Sequence, residues 1–173
     1  MAISLYDLSV TSFLQTVGAV EGFLAKGLKH FEANGVDPQT IVETRLYPDM
    51  APLHFQIASV AHHSLGAIQS AMSGAAGPPT SAAELDYAGL QALVKRAGDG
   101  LRAVQAEAVN SLEGRDVVFK FGDFKIPFVA EGFLMSFALP NVHFHATTAY
   151  DILRHKGVPL GKRDYLGALR VKS

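Results

Sequence analysis

The sequence predicts an all-α protein, an antiparallel four-helix bundle of the up-down-up-down type with a small β-hairpin between the third and fourth main helices. Four long segments carry apolar residues at spacings of three and four, the period of an amphipathic helix. One short segment near residue 120 instead alternates with the period of a strand. The length of 173 residues suits one domain, which we assign to residues 1–173.

The composition and net charge indicate which classes of partner the protein can bind. With 49% hydrophobic residues and a formal net charge of -1, the chain lacks the basic field that binding to nucleic acid requires, so we expect no nucleic-acid partner. Residues 154–173 carry six Lys or Arg against Asp164 alone. We expect this tail to be solvated, and the alternative is docking on an acidic partner surface or a second subunit.

The absence of cysteine excludes disulfides and thiolate metal sites, and it suits a reducing compartment. The first residues lack the basic and apolar regions of a signal peptide, and we expect no membrane-spanning segment. The sequence therefore predicts a cytoplasmic protein.

The first main helix is predicted from Leu5 to about Phe31, with Asn34-Gly35 as its stop. After a short helix at Asp37-Pro38, Asp49 is predicted to cap the second main helix. Helical periodicity places His54 in the core stripe of that helix, points His63 away from the core, and leaves His62 at the boundary as a partly exposed residue. The predicted stripe also contains Met50, Ile57, Ala61, Leu65, Ile68 and Met72.

Residues 74–79 have the composition of a loop. Ser81 and Glu84 then have the spacing of a capping box, which predicts the start of the third main helix. This helix is predicted to end near residues 112–114. The hairpin is predicted over residues 117–128, around Gly122-Asp123. A two-residue loop pairs Phe121 with Phe124, Phe119 with Ile126 and Val117 with Phe128. This aromatic face is expected to cover one end of the bundle, and the alternative is an exposed binding surface.

The fourth main helix is predicted from about Ala130 to His155, with a kink or restart at Pro140. On this helix His145 falls in line with apolar residues, whereas His143 points almost to the opposite side. A buried imidazole needs hydrogen-bond partners, and Asn141 and Thr148 lie on its flank. We therefore expect a polar site around His145 in a helical core.

Motifs along the chain resemble an uncharacterised bacterial family similar to the DinB/YfiT-like helical bundles, a superfamily expected to include metalloenzymes. Members that bind metal typically use one histidine of the second helix and two histidines, four residues apart, of the last helix. In this chain the four-apart pair is Asn141 and His145, and either His54 or Ser59 stands at the second-helix position. The motifs are residues 46–50, residues 138–150, residues 152–155 and residues 160–167.

The resemblance implies a metal site of His145, His54 and Asn141, with Zn or Ni as the cofactor. Two imidazoles and an amide oxygen are a weaker donor set for these ions than three imidazoles, so a degenerate site is the alternative. Two function classes follow: a metal-dependent transferase- or hydrolase-like enzyme, and a non-enzymatic or degenerate bundle without established activity that binds a small apolar ligand or acts by dimerising. We also expect a homodimer, because the hairpin aromatics and the tail offer apolar surface that needs cover.

Overall fold

The computed structural model describes residues 3–172 and shows a mostly helical protein with a small mixed three-stranded sheet. Two stretches of π-helix interrupt the α-helices, π1 at His62–Gly66 and π2 at Phe133–Ala138. The α-helices are α1 Leu5–Leu8, α2 Val10–Ala33, α3 Gln39–Val42, α4 Leu53–Ala61, α5 Ala67–Ser73, α6 Tyr87–Ala103, α7 Ala106–Asn110, α8 Ala130–Gly132, α9 Leu139–His155 and α10 Lys162–Leu166. The strands are β1 Ala75–Ala76, β2 Asp116–Phe121 and β3 Phe124–Val129.

Within the described residues, helices α2, α4, α6 and α9 pack around the core. Helix α2 packs against α6 and α9, and α4 packs against the same two helices. The apolar faces meet between them, and burial of each large side chain stabilises the fold by about 1.5–3 kcal/mol relative to exposure. The largest fully buried side chains include Phe13, Phe23, Phe31, Ile57, Ile68, Leu90, Leu101, Leu134 and Ile152.

The predicted first helix is divided at Ser9. The Ser9 hydroxyl donates to the carbonyl of Leu5 at 2.6 Å, and the residue separates α1 from α2. A serine side chain that bonds to a nearby carbonyl competes with the regular helical pattern, which explains the interruption. The predicted stop is confirmed, because α2 ends at Ala33 and Gly35 has a φ of +66°.

The range Leu5–Ala33 is long and apolar enough to cross a membrane, and half of its most apolar window is buried by the rest of the protein. Helices at the centre of a folded core meet the same criteria. The helix therefore carries no membrane assignment by itself.

The starts of the second and third main helices differ from the prediction. The second begins at Leu53 after an extended Pro52, not at Asp49. The third begins at Tyr87, where the Asp86 carboxylate accepts from the Gly89 amide at 2.7 Å and satisfies a free donor of the first turn. The predicted cap Ser81 instead accepts from the amide of Ala83 at 3.2 Å, before the helix.

The third main helix also ends earlier than predicted. Helix α6 stops at Ala103, because Val104 is extended with a ψ of 127°, and α7 follows as a separate helix. Helix α7 is followed by Gly114, which has a φ of +75° and lies within the residues predicted to end the third main helix.

The π turns change the phase of two helices. Since hydrogen bonds in a π turn run from i to i+5, each residue advances by less than the angle that an α-helical wheel assumes. Around π1, Ser64 and Ala71 are buried whereas Met72 of the predicted stripe is 36% exposed. At Pro140 the helix does not restart, because Ala138 and Leu139 keep helical dihedral angles and π2 runs directly into α9; the kink stays a prediction.

The sheet has the order β1-β2-β3, with β1 parallel to β2 and β2 antiparallel to β3. Strand β1 lies within residues 74–79, which we expected to form only a loop. In the hairpin Phe121 pairs with Phe124, Phe119 with Ile126 and Val117 with Phe128.

The hairpin face is covered at its base and open at its tip. The Phe119 ring lies 5.0 Å from the ring of Phe137, and Phe128 packs against Phe133 at 5.8 Å. At the tip, Phe121 and Phe124 are 64% and 61% exposed. The aromatic face thus covers π2 with only part of its area.

The basic tail is partly docked, contrary to the expectation of a solvated segment. Helix α10 packs on α2, where Lys26 pairs with Asp164 and the Gln15 amide donates to the carbonyl of Leu166 at 2.9 Å. Beyond α10, Leu169 is 57% exposed. The docked part covers the α2 surface near Gln15 and leaves the last described residues exposed.

Candidate functional site: a histidine pair between two helices

Two histidine rings meet where α4 and π1 pack against α9. The rings of His63 and His145 lie parallel, with 5.7 Å between centroids and 3° between planes. His63 is buried, with 4% of its surface exposed, and His145 is half-buried. The prediction that His63 points away was wrong, because His63 lies in π1, where the α-helical period does not hold.

Gln56 sets the tautomer of His145. The Gln56 Nε2 donates to the carbonyl of Ala51 at 2.8 Å, which leaves Oε1 facing the Nδ1 of His145 at 2.8 Å. Because this amide oxygen can only accept, Nδ1 carries the hydrogen in the neutral ring. The lone pair of His145 is therefore on Nε2, which has no hydrogen-bond partner within residues 3–172.

Both rings are held in the neutral state. Burial, helped by the neighbouring rings of His62 and His145, lowers the pKa of His63 to about 3. Burial also lowers the pKa of His145 to about 4. At neutral pH the pair therefore offers uncharged imidazoles to a ligand.

Aromatic rings surround the pair. Phe55 and Phe144 lie edge-on to His145, with ring centroids at 6.0 and 5.2 Å, and Phe144 is 59% exposed. Beneath them, Phe137 contacts His63 at 5.7 Å. The half-buried His145 ring is thus flanked by two phenylalanine rings.

One serine beside the pair keeps an unused hydroxyl. Ser59 lies one helical turn before His63 and is fully buried, and its Oγ has no partner in the part of the chain that the structure describes. Buried hydroxyls normally find a hydrogen-bond partner. The Ser59 Oγ is therefore a second polar atom of this region, after the Nε2 of His145, that has none within the described residues.

The three predicted metal ligands make separate contacts. His54 is buried and its Nε2 lies 3.5 Å from the Glu43 carboxylate, while its Nδ1 has no partner within the described range. The Asn141 amide donates to the carbonyl of Phe137 at 2.8 Å. None of these contacts joins two of the three residues His145, His54 and Asn141, and their role as metal ligands stays a prediction.

The expected partners of His145 were also wrong. The Thr148 hydroxyl donates to the carbonyl of Phe144 at 2.9 Å, and Asn141 likewise bonds to its own helix, so neither contacts the imidazole. Gln56 takes that role from the facing helix. A signal for Gln56 was present, since it is a polar residue within the apolar run of residues 53–60 and lies seven positions before His63.

The donor set does not amount to a complete three-ligand metal centre. Residues 3–172 contain no group of three His, Cys, Asp or Glu side chains arranged to hold a metal ion. Catalytic zinc sites typically use three protein ligands and one water. The His63 and His145 rings supply two imidazoles, which is one ligand fewer.

Comparisons with known proteins agree with the fold. A solved structure titled as a DinB family member protein from Shewanella denitrificans matches with a TM-score of 0.81 and 25% sequence identity, covering 98% of this chain and 95% of that one. None of the curated proteins matches the chain. The model of a family described as a domain of unknown function, DUF1993, matches residues 5–166. The chain therefore belongs to the DUF1993 family and has a DinB-like fold, which confirms the resemblance seen in its motifs.

Proposed function

We propose that this protein is a single-domain DinB-like bundle, residues 1–173, with a degenerate metal site that binds a small molecule at the histidine pair. The observation that carries the proposal is the hydrogen bond from His145 to Gln56, which leaves an uncharged lone pair on Nε2. A lone pair beside two phenylalanine rings suits a partly apolar, uncharged ligand that donates one hydrogen bond.

Phenol is a suitable probe, because it combines an aromatic ring with one O–H donor, and anisole is its matched control without the donor. We expect phenol to shift the ring resonances of His145 saturably in an NMR titration of the full chain, and anisole to bind more weakly. Phenol should also shift the amides of Phe55 and Phe144, which flank His145, and these shifts should be lost in the variant His145→Gln, which keeps its fold. Equal shifts by phenol and anisole would show that the lone pair takes no part.

Metal analysis tests whether the site is degenerate. In protein purified without a histidine tag we expect less than one equivalent of Zn or Ni, and no change in melting temperature when either ion is added. The pair supplies two imidazoles, and Asn141 and His54 make contacts elsewhere. One tightly bound equivalent, lost in His145→Gln, would contradict the proposal.

That outcome would favour the second candidate, a metal-dependent transferase- or hydrolase-like enzyme. One observation supports this candidate: metal-ligating histidines usually donate their other ring nitrogen to a neighbouring acceptor, as His145 donates to Gln56. Ligands for such a centre would be His145 with His54 and Asn141, as the family resemblance implies.

We further propose an antiparallel up-down-up-down order for the four main helices and a cytoplasmic homodimer without nucleic-acid or membrane partners. The exposed pair Phe121 and Phe124 at the hairpin tip supports self-association. Light scattering should give about twice the 18.5 kDa chain mass. We expect the double variant Phe121→Ser with Phe124→Ser to be monomeric, and a wild-type monomer at high micromolar concentration would exclude the dimer.

A further inference from the structure

A groove of about 340 Å³ lies between the second main helix and α6, and His62 forms part of its wall. This volume lies within the range of small-molecule sites. Its apolar walls include Leu65 and Leu93, and its polar groups come from His62, Gln69, Thr80 and Arg96. In the part of the chain that the structure describes, no Asp or Glu lines the groove.

Arg96 is the source of positive charge in this groove. Its neighbours on α6 are neutralised: Lys95 and Arg102 pair with the two oxygens of Asp99 at 2.6 and 2.8 Å. Arg96, by contrast, has no ion pair within residues 3–172. An unpaired guanidinium favours a carboxylate, which it binds through two parallel hydrogen bonds.

Two other polar side chains of the groove can bind the same carboxylate. Gln69 and Thr80 can both donate hydrogen bonds. The ring of His62 is oriented by its Nε2, which donates to the carbonyl of Gly77 at 2.9 Å. Leucine side chains on the facing walls can hold an apolar body while the donors hold its charged end.

We propose that this groove binds a small organic acid, with its carboxylate on Arg96 and its apolar part between Leu65 and Leu93. The inference does not depend on the proposed function at the histidine pair, because the two sites have different residues and ligands of different charge. They are neighbours nonetheless, since the ring of His62 contacts that of His63 edge-on at 4.9 Å.

Benzoate tests the proposal, with benzamide as its uncharged match. In an NMR titration of the labelled full chain we expect benzoate to shift the amides of Gly66, Gln69 and Ala97 saturably, with a dissociation constant of about 1 mM, the range of small ligands. Benzamide and inorganic phosphate should bind at least about ten-fold more weakly, because each lacks one half of the recognition.

Two variants of α6 separate recognition from general charge. Arg96→Gln should weaken benzoate binding about ten-fold or more, as expected for loss of a charged hydrogen bond. Lys95→Gln removes the same charge one residue away and should change affinity less than about two-fold, since surface charges are screened. Both side chains are exposed, and the spectra of the variants report whether each is folded.

The proposal would be overturned by the absence of a saturable shift with benzoate, by equal weakening in the two variants, or by phosphate binding more tightly than benzoate. A failure here leaves the phenol experiment unaffected, because that experiment is read at the ring of His145. Shifts confined to His145 on adding benzoate would likewise count against the groove.

Discussion

Acidification should destabilise the protein through His63. The folded state keeps this ring neutral down to a pKa of about 3, whereas in the unfolded chain it takes up a proton near its ordinary value of 6.5. Between these values the unfolded state binds more protons, so stability is fully present above about pH 6.5 and falls as the pH falls. His145, with a pKa lowered to about 4, acts in the same direction.

The size of the effect follows from the pKa difference. At pH 5 the solution lies about 1.5 pH units below the unfolded pKa, and each unit corresponds to about 1.4 kcal/mol, so His63 should cost about 2 kcal/mol of unfolding free energy. In a chain of this length that is about 4–8 °C in melting temperature. The half-buried His145 should contribute less, because solvent screens it.

Urea denaturation at about pH 7.5 and about pH 5 measures this loss. The variant His63→Phe keeps an aromatic ring beside Phe137 and His145, but this ring cannot take up a proton. Its unfolding free energy should therefore fall on acidification by about 2 kcal/mol less than that of the wild type. The exposed His155, replaced by Gln, is the control and should lose as much stability as the wild type. An equal loss of unfolding free energy in His63→Phe, or an NMR titration of the wild-type His63 ring near pH 6.5, would contradict this prediction.

Two further predictions concern stability. Gln56→Leu leaves the Nδ1–H of His145 without its acceptor and should lower the unfolding free energy by about 1–3 kcal/mol in urea denaturation; an unchanged midpoint would contradict the assigned hydrogen bond. Gly27→Ala should destabilise the protein, since its Cβ would lie 2.5 Å from the Tyr87 hydroxyl, which donates to α2. At Gly22 a Cβ would meet open space, so Gly22→Ala should instead raise the unfolding free energy by up to about 1 kcal/mol through its higher helix propensity, as measured by thermal unfolding. Similar melting temperatures for the two alanine variants would count against the close approach of Tyr87 to Gly27.

Helical periodicity predicted one residue of the histidine site, His145, but neither His63 nor Gln56. His145 was identified from its place on an apolar helical face, and it is part of the site that the structure assembles. His63 was assigned to the wrong side, because a helical wheel assumes one angle per residue and π1 does not keep it. Gln56 was missed for a different reason: it belongs to a facing helix, and sequence spacing does not describe contacts between helices.

Local signals were reliable where the chain depends on a single backbone preference. The end of α2 at Asn34-Gly35 is such a case, since Gly35 has a positive φ that glycine adopts without strain. Helix starts were less reliable, because several residues compete to cap the first turn. Asp86 serves α6 instead of Ser81, and no spacing rule distinguishes a carboxylate that reaches the third amide of the helix from a serine that bonds before it.

The helical class, the main apolar faces and the DinB-like family resemblance could be predicted from the amino-acid sequence, because each depends on local periodicity or on motifs along the chain. Which polar groups contact one another depends on how the helices pack. His63 stacks on His145, Gln56 sets the tautomer, and Arg96 stays unpaired in a groove within the described residues, because each depends on helices distant in sequence that pack side by side. Burial then lowers the pKa of both rings, an effect of the surrounding protein that no single segment carries.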